Sequence, residues 1–294
     1  MSKQYSPFQT ELHSRCPLLR VLTTKERWVP RVIEQRDISM ILGAAIASGL
    51  ERYNLKHSDA AMVAMRAAEE AQALAIKVGR EVPEKHTSQW ERLPYRAEAG
   101  VNQYVGLADA NEGLPPGLPA GTKIVAVERG FGPEGGWSRP DMEVDDGFAP
   151  DVPLDFKVTL SGGEKKQAEF NRDRRIGRWS QSGQLLNYVS YLSKKTAPFW
   201  HYYIGDIVLE PKFSFEIHRF NVHPETLTMW ETTVKQTWKD MEDQDDGKRT
   251  IEMAFSHADE YGECPMKRAC FEHHLDPQLM SGDYIRLPRM PWRG

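Results

Sequence analysis

The strongest constraint on the fold is a change of hydrophobic period along the chain. Ile38, Ile41, Leu42, Ala45, Ile46, Gly49 and Leu50 recur at helical spacing behind Asp37, a predicted N-cap. An alanine-rich stretch from Ser58 to about Gly79 predicts a second helix, and residues 111–121, rich in Gly and Pro, predict a loop. The period then falls to two. Lys123–Glu128 reads as a strand with Ile124, Ala126 and Glu128 on one face, and Gly130–Gly136 as a hairpin loop. Asp141–Asp145 alternates acids outward with Met142 and Val144 inward. Val152, Leu154, Phe156 and Val158 line one face of a third strand, which leaves Asp155 and Lys157 together on the other.

Helical spacing returns at Gln181–Leu192, with Leu185, Tyr188, Val189 and Leu192 as its stripe. Two strands follow at Phe199–Leu209 and Phe213–Phe220. A last helix begins near Pro224 with the stripe Leu227, Trp230, Val234 and Met241. A chain that switches period in this order must pack helices on a sheet, so the expected class is α/β. Residues 1–294 read as one domain. Within it, 1–115 are mainly helical, 120–220 form the core, and 221–294 hold a helix and a cysteine-bearing segment.

Charge is distributed unevenly. Between Asp141 and Asp155 stand six acids and no base; between Lys157 and Lys195, nine bases and three acids. The net charge of −4 carries no nucleic-acid signal, but an acidic knot beside a basic flank is what a metal-dependent phosphodiester site needs. Two solvated faces of opposite sign would look the same on charge alone. The longest nearly apolar run, Ile38–Leu50, has 13 residues, too few for a bilayer. With a polar N-terminus, the expectation is a cytoplasmic protein without a membrane partner.

The spacing of Pro140-Asp141 and Asp155-Phe156-Lys157 organises that charge. Fourteen positions separate the two aspartates, enough for a strand, a turn and the antiparallel next strand. Both carboxylates then reach one cation, Mg2+ or Mn2+, with the Phe156 carbonyl and Glu128 as further oxygen donors. Lys157, charged among carboxylates, serves as a clamp for the negative charge that develops on phosphorus and as an orienter of the attacking water. Arg172, Arg174, Arg175 and Arg178 read either as phosphate contacts of a DNA-binding surface or as a solvated loop. Trp137, on the predicted hairpin tip, reads either as a stacking platform for an unpaired base or as a ring folded onto the protein.

Those motifs resemble the PD-(D/E)XK nuclease superfamily. Gln184-Leu185-Leu186-Asn187-Tyr188, 27 residues beyond Lys157, is similar to the Gln-x-x-x-Tyr helix motif of its RecB-like exonuclease branch. Gly43 and Glu51 resemble that branch's first motif, but Ala47 stands where the family has a metal-binding histidine. The resemblance implies a restriction-endonuclease-like mixed central sheet flanked by helices. It also implies catalytic roles for Asp141, Asp155, Lys157, Gln184 and Tyr188, and hydrolysis of single- or double-stranded DNA, from its ends. Stand-alone relatives include phage recombination exonucleases and CRISPR-associated nucleases, so a single-strand annealing or recombination protein is an expected partner; endonuclease action and self-association into an oligomer stay open.

Some RecB-like nucleases carry an iron–sulfur cluster on one N-terminal and three C-terminal cysteines. Cys16, Cys264 and Cys270 match three of those places and Tyr261 occupies the fourth. A cluster would need another donor (Glu263, His273 or His274); otherwise the cysteines are packed small hydrophobes. A DNA-binding scaffold that has lost cleavage is the rival that the absent histidine and cysteine suggest.

Overall fold

The computed structural model describes residue 5 and residues 7–130, 139–161, 165–179, 182–195, 200–210, 212–251, 258–259 and 262–287. The predicted hairpin loop beyond residue 130, Trp137 and Tyr261 lie outside the described residues. The chain begins with α1 (Pro7–Arg15), α2 (Pro17–Arg20), a π-helical turn at Val21–Lys25 and β1 (Trp28–Pro30). Four helices follow: α3 (Gln35–Asn54), α4 (Ala60–Lys77), α5 (Glu84–Glu91) and α6 (Leu93–Asp109). Then come β2 (Lys123–Val127), β3 (Met142–Asp145), β4 (Val152–Ser161), α7 (Lys165–Trp179), α8 (Gly183–Lys195), β5 (His201–Glu210) and β6 (Ser214–Asn221). The rest comprises α9 (Pro224–Asp245), β7 (Ala258–Asp259), β8 (Gly262–Glu263), α10 (Lys267–Phe271), α11 (Pro277–Met280) and β9 (Tyr284–Arg286).

The class is mixed α/β. The chain divides into two compact units, one of residues 38–71 and 91–231 and one of residues 1–37, 72–90 and 232–294. The first holds a five-stranded mixed sheet in the order β2-β3-β4-β5-β6. β2, β3 and β4 form the antiparallel meander that their period and short spacings predict. β4 and β5 run parallel, which a tight turn cannot connect, and α7 and α8 make the crossover. β5 and β6 close the sheet as an antiparallel pair.

Alternation along β4 sorts the helices onto two faces. A Cβ placed on Gly43 of α3 would lie 3.9 Å from Val158, and one on Gly100 of α6 would lie 3.0 Å from Leu209. Phe156 shares the Val158 face. Its ring packs against Gly205, its register partner on β5, where a Cβ would come within 2.6 Å of that ring. Lys157 points to the opposite face and meets Gln184 of α8.

Asp37 is not the N-cap of α3 but a residue of its first turn, where its carboxylate accepts from the Glu34 N–H at 2.9 Å and pairs with Arg80. Glu143 does not point to solvent. It is 0% exposed and forms an ion pair with Arg129, because both faces of the short strand β3 are covered. The helix α7, on the stretch that carries the arginines, has no continuous apolar stripe in the sequence, and its period was correspondingly silent.

The second unit joins the chain ends. Trp28, Val29 and Pro30 pair with Arg286, Ile285 and Tyr284. Beneath them Leu12, Cys16, Leu19, Leu22, Met266 and Met280 belong to one apolar cluster. Asp245 at the end of α9 ties down Arg20 and Lys25, each at 2.7 Å.

Candidate active site

The meander brings the two aspartates together. Met142 pairs with Leu154, so Asp141, just before β3, lies beside Asp155 and Phe156. Asp141 Oδ2 accepts from the Phe156 N–H at 2.5 Å, and the Asp141 carbonyl accepts from the Glu128 N–H at 3.2 Å. Phe156 therefore enters the site through its backbone N–H. Glu128, one residue past β2, holds a left-handed backbone with φ 50°, a conformation of few per cent of non-glycine residues. Its side chain shares a hydrogen bond with Asp141 and an ion pair with Arg139.

From Asp155 a continuous polar chain returns to the same place. The Asp155 carboxylate, 3% exposed, pairs with the Lys157 ammonium. Lys157 Nζ donates to Gln184 Oε1 at 3.1 Å, and Gln184 Nε2 donates to the Tyr188 hydroxyl at 2.6 Å. The Tyr188 hydroxyl donates to the Arg139 carbonyl at 2.8 Å, and the Arg139 side chain leads back to Glu128. Gln184 and Tyr188 are four apart on α8, one turn of one face, which is why a single helix can join Lys157 to the segment before Asp141.

Buried, crowded carboxylates hold protons more tightly than isolated ones. Burial, reinforced by Glu51 and Asp155, pushes the Glu128 carboxyl up to about 7 against the pull of Arg139. Burial, with Asp155 and Glu128 beside it, raises Asp141 well above the ordinary carboxylate range. Glu51 of α3 thus belongs to the same electrostatic neighbourhood as Glu128, Asp141 and Asp155. Burial also raises the Tyr188 hydroxyl, with Asp155 the next cause.

Among the described residues, no three His, Cys, Asp or Glu side chains are already spaced to hold a metal ion. The acids are turned instead onto the Phe156 N–H, Arg139 and Lys157. Their chemistry still fits a hard divalent cation. The donors are carboxylate oxygens, and a dication would offset the burial and mutual repulsion that raise Glu128 and Asp141.

The arginines of α7 go to different places. Arg172 pairs with Glu216 at 2.7 Å, and Arg175 pairs at 3.0 Å with Asp206, which is 3% exposed. Arg174 is exposed, and Arg178 is half-buried. Asp206 is the register partner of Lys157 on β5, a placement that sequence spacing could not reveal. Sequence spacing does not single out Arg139 either, although it directly precedes Pro140-Asp141.

In the second unit, Cys16, Cys264 and Cys270 lie near one another, and none is in a disulfide. Cys16 is buried in the apolar cluster and Cys264 packs against it. Burial pushes the Cys270 thiol up to about 11, with Cys264 and Cys16 adding to the rise. His273 Nε2 lies 2.7 Å from Asp283, while His274 is exposed. The side chain of Glu263 lies outside the described residues.

Compared with models of known protein families, the chain matches none, and no curated protein matches it.

Proposed function

We propose that this protein is a divalent-cation-dependent deoxyribonuclease built on a restriction-endonuclease-like core of the RecB-like PD-(D/E)XK type. The observation that carries the reading is the meeting of Asp141 and Asp155 on neighbouring strands, with Lys157 linked through Gln184 to Tyr188. Asp141, Asp155 and Glu128 are the residues that would hold Mg2+ or Mn2+. When bound, the cation supplies Lewis acidity toward the scissile phosphate.

The chain's own residues do the positioning. Lys157 presents its ammonium to the negative charge that develops on phosphorus, and Gln184 fixes the direction of that ammonium. Tyr188 fixes Gln184 in turn and anchors the backbone at Arg139. The exposed Arg174 supplies a sequence-independent phosphate contact. Action from DNA ends, in recombination or repair, is the form of the activity that the motifs favour. For the other unit, the convergence of three thiols supports an iron–sulfur or related soft-metal role.

The test uses end-labelled linear duplex and single-stranded DNA with Mg2+, Mn2+ or chelator. Wild-type protein is expected to cleave with either metal and not with chelator. Asp155→Asn and Lys157→Ala should each lower the rate by about 100-fold or more. Binding without cleavage under every metal would refute the nuclease and favour the scaffold reading, to which Ala47 at the motif histidine position points.

A further inference from the structure

Tyr104 of α6 is 0% exposed, and its hydroxyl has no hydrogen-bond partner among the described residues. Burying a hydroxyl without a partner is destabilising, so a tyrosine in place of phenylalanine calls for a reason. Nothing in the aromatic packing supplies one. The ring meets Phe156 edge-on at 5.4 Å, Phe215 at 5.3 Å and Tyr53 at 6.0 Å, contacts that phenylalanine would make equally well.

The location does supply a reason. Phe156, against which the ring packs, is the residue whose N–H holds Asp141 Oδ2. Burial raises the Tyr104 hydroxyl, and Tyr53 and then Asp141 add to the rise. The neighbouring Tyr53 offers a contrast, since its hydroxyl already donates to Asp109 at 2.6 Å. Two tyrosines thus stand side by side, one satisfied within the protein and one not.

We infer that Tyr104 is a positioning residue of the acidic cluster, its hydroxyl donating through one buried water to Asp141 and so ordering the hydration of a divalent cation held there. The inference rests on the cation-binding reading of Asp141 and Asp155. A buried water needs at least two polar partners, and in this inference they are the Tyr104 hydroxyl and the Asp141 carboxylate. Mg2+ and Mn2+ sites built on one or two carboxylates keep several waters, so groups that hold those waters govern affinity without touching the ion.

The experiment measures Mn2+ binding to the full-length protein by electron paramagnetic resonance, without DNA and therefore without turnover. Tyr104→Phe, Tyr53→Phe and Asp141→Asn are compared with wild type, and each is melted in chelator. Tyr104→Phe is expected to weaken Mn2+ binding about tenfold while melting at or above the wild-type temperature. Tyr53→Phe is expected to stay within about twofold of wild type on the same scale. Tyr104→Phe with wild-type affinity overturns the inference and leaves the cation site standing. Equal losses in Tyr104→Phe and Tyr53→Phe also overturn it, since they would report general packing. If wild type binds no Mn2+, or Asp141→Asn binds as well as wild type, the cation-binding reading fails and takes the inference with it.

Discussion

Replacing Glu128 with Gln keeps the shape of the side chain and removes one titration from the site. In the folded protein burial and the neighbouring acids lift the Glu128 carboxyl from its ordinary 4.5 to about 7. The folded state therefore holds that proton more tightly than the unfolded chain. Its contribution to stability is complete below pH 4.5 and is lost as pH rises through about 7, a change of about 3 kcal/mol. Asp141 acts in the same direction. His13, His201 and His218, lowered chiefly by burial, act in the opposite direction and favour the folded state as pH rises.

The difference between wild type and Glu128→Gln isolates the one carboxyl. In urea titrations with chelator, Glu128→Gln is expected to gain about 2–3 kcal/mol on wild type between pH 5 and pH 8. Saturating Mn2+ should reduce that gain, because the cation relieves the repulsion that the proton otherwise relieves. The same wild-type-minus-variant difference at both pH values would refute the account, since Glu128 would then sit among groups that do not crowd it.

Two glycines of α3 should respond oppositely to alanine. At Gly49 a Cβ would come within 2.7 Å of Val101 Cγ2 and 2.9 Å of the Ala60 carbonyl oxygen. Gly49→Ala should therefore cost about 1–3 kcal/mol despite alanine's helix preference of about 1 kcal/mol. At Gly43 the nearest neighbour is Val158 Cβ at 3.9 Å, so Gly43→Ala should stabilise by up to about 1 kcal/mol. Melting temperatures decide this, and a Gly49→Ala variant as stable as Gly43→Ala would contradict it. Among the arginines, Arg174→Ala should weaken binding to all DNA sequences alike and reduce the salt slope by about one, without a change in melting temperature. Arg175→Ala should instead lower the melting temperature, since it strands the buried Asp206 carboxylate; filter binding across salt concentrations and thermal melts separate the two.

The elements with clean periods were legible in the sequence. β4 alternates over Val152, Leu154, Phe156 and Val158 and lies where that alternation puts it, with Lys157 on the opposite face. α8 carries its stripe at Leu185, Tyr188, Val189 and Leu192, all buried. Period fails where burial is two-sided or where a helix has no continuous apolar stripe. Glu143 looked like an outward acid because alternation presumes one wet face. α7 reads as a loop or a basic surface because its sequence has no continuous apolar stripe; among its described side chains, Arg172 and Arg175 pair with Glu216 and Asp206. Asp206 and Tyr104 were invisible for another reason: their interest lies in neighbours that are distant in the chain.

The sequence by itself determined which side chains were available for chemistry and on which face of its own element each would stand. Those are local matters, settled by the repeat of a strand or a helix and by the spacing between charges. The tertiary structure decided which elements became neighbours, and with that the balance of charge around each acid. The Asp141 and Glu128 carboxyls are raised above their ordinary range because folding removes them from water beside Asp155. No spacing along the chain encodes that desolvation, because it arises only when several segments exclude solvent together.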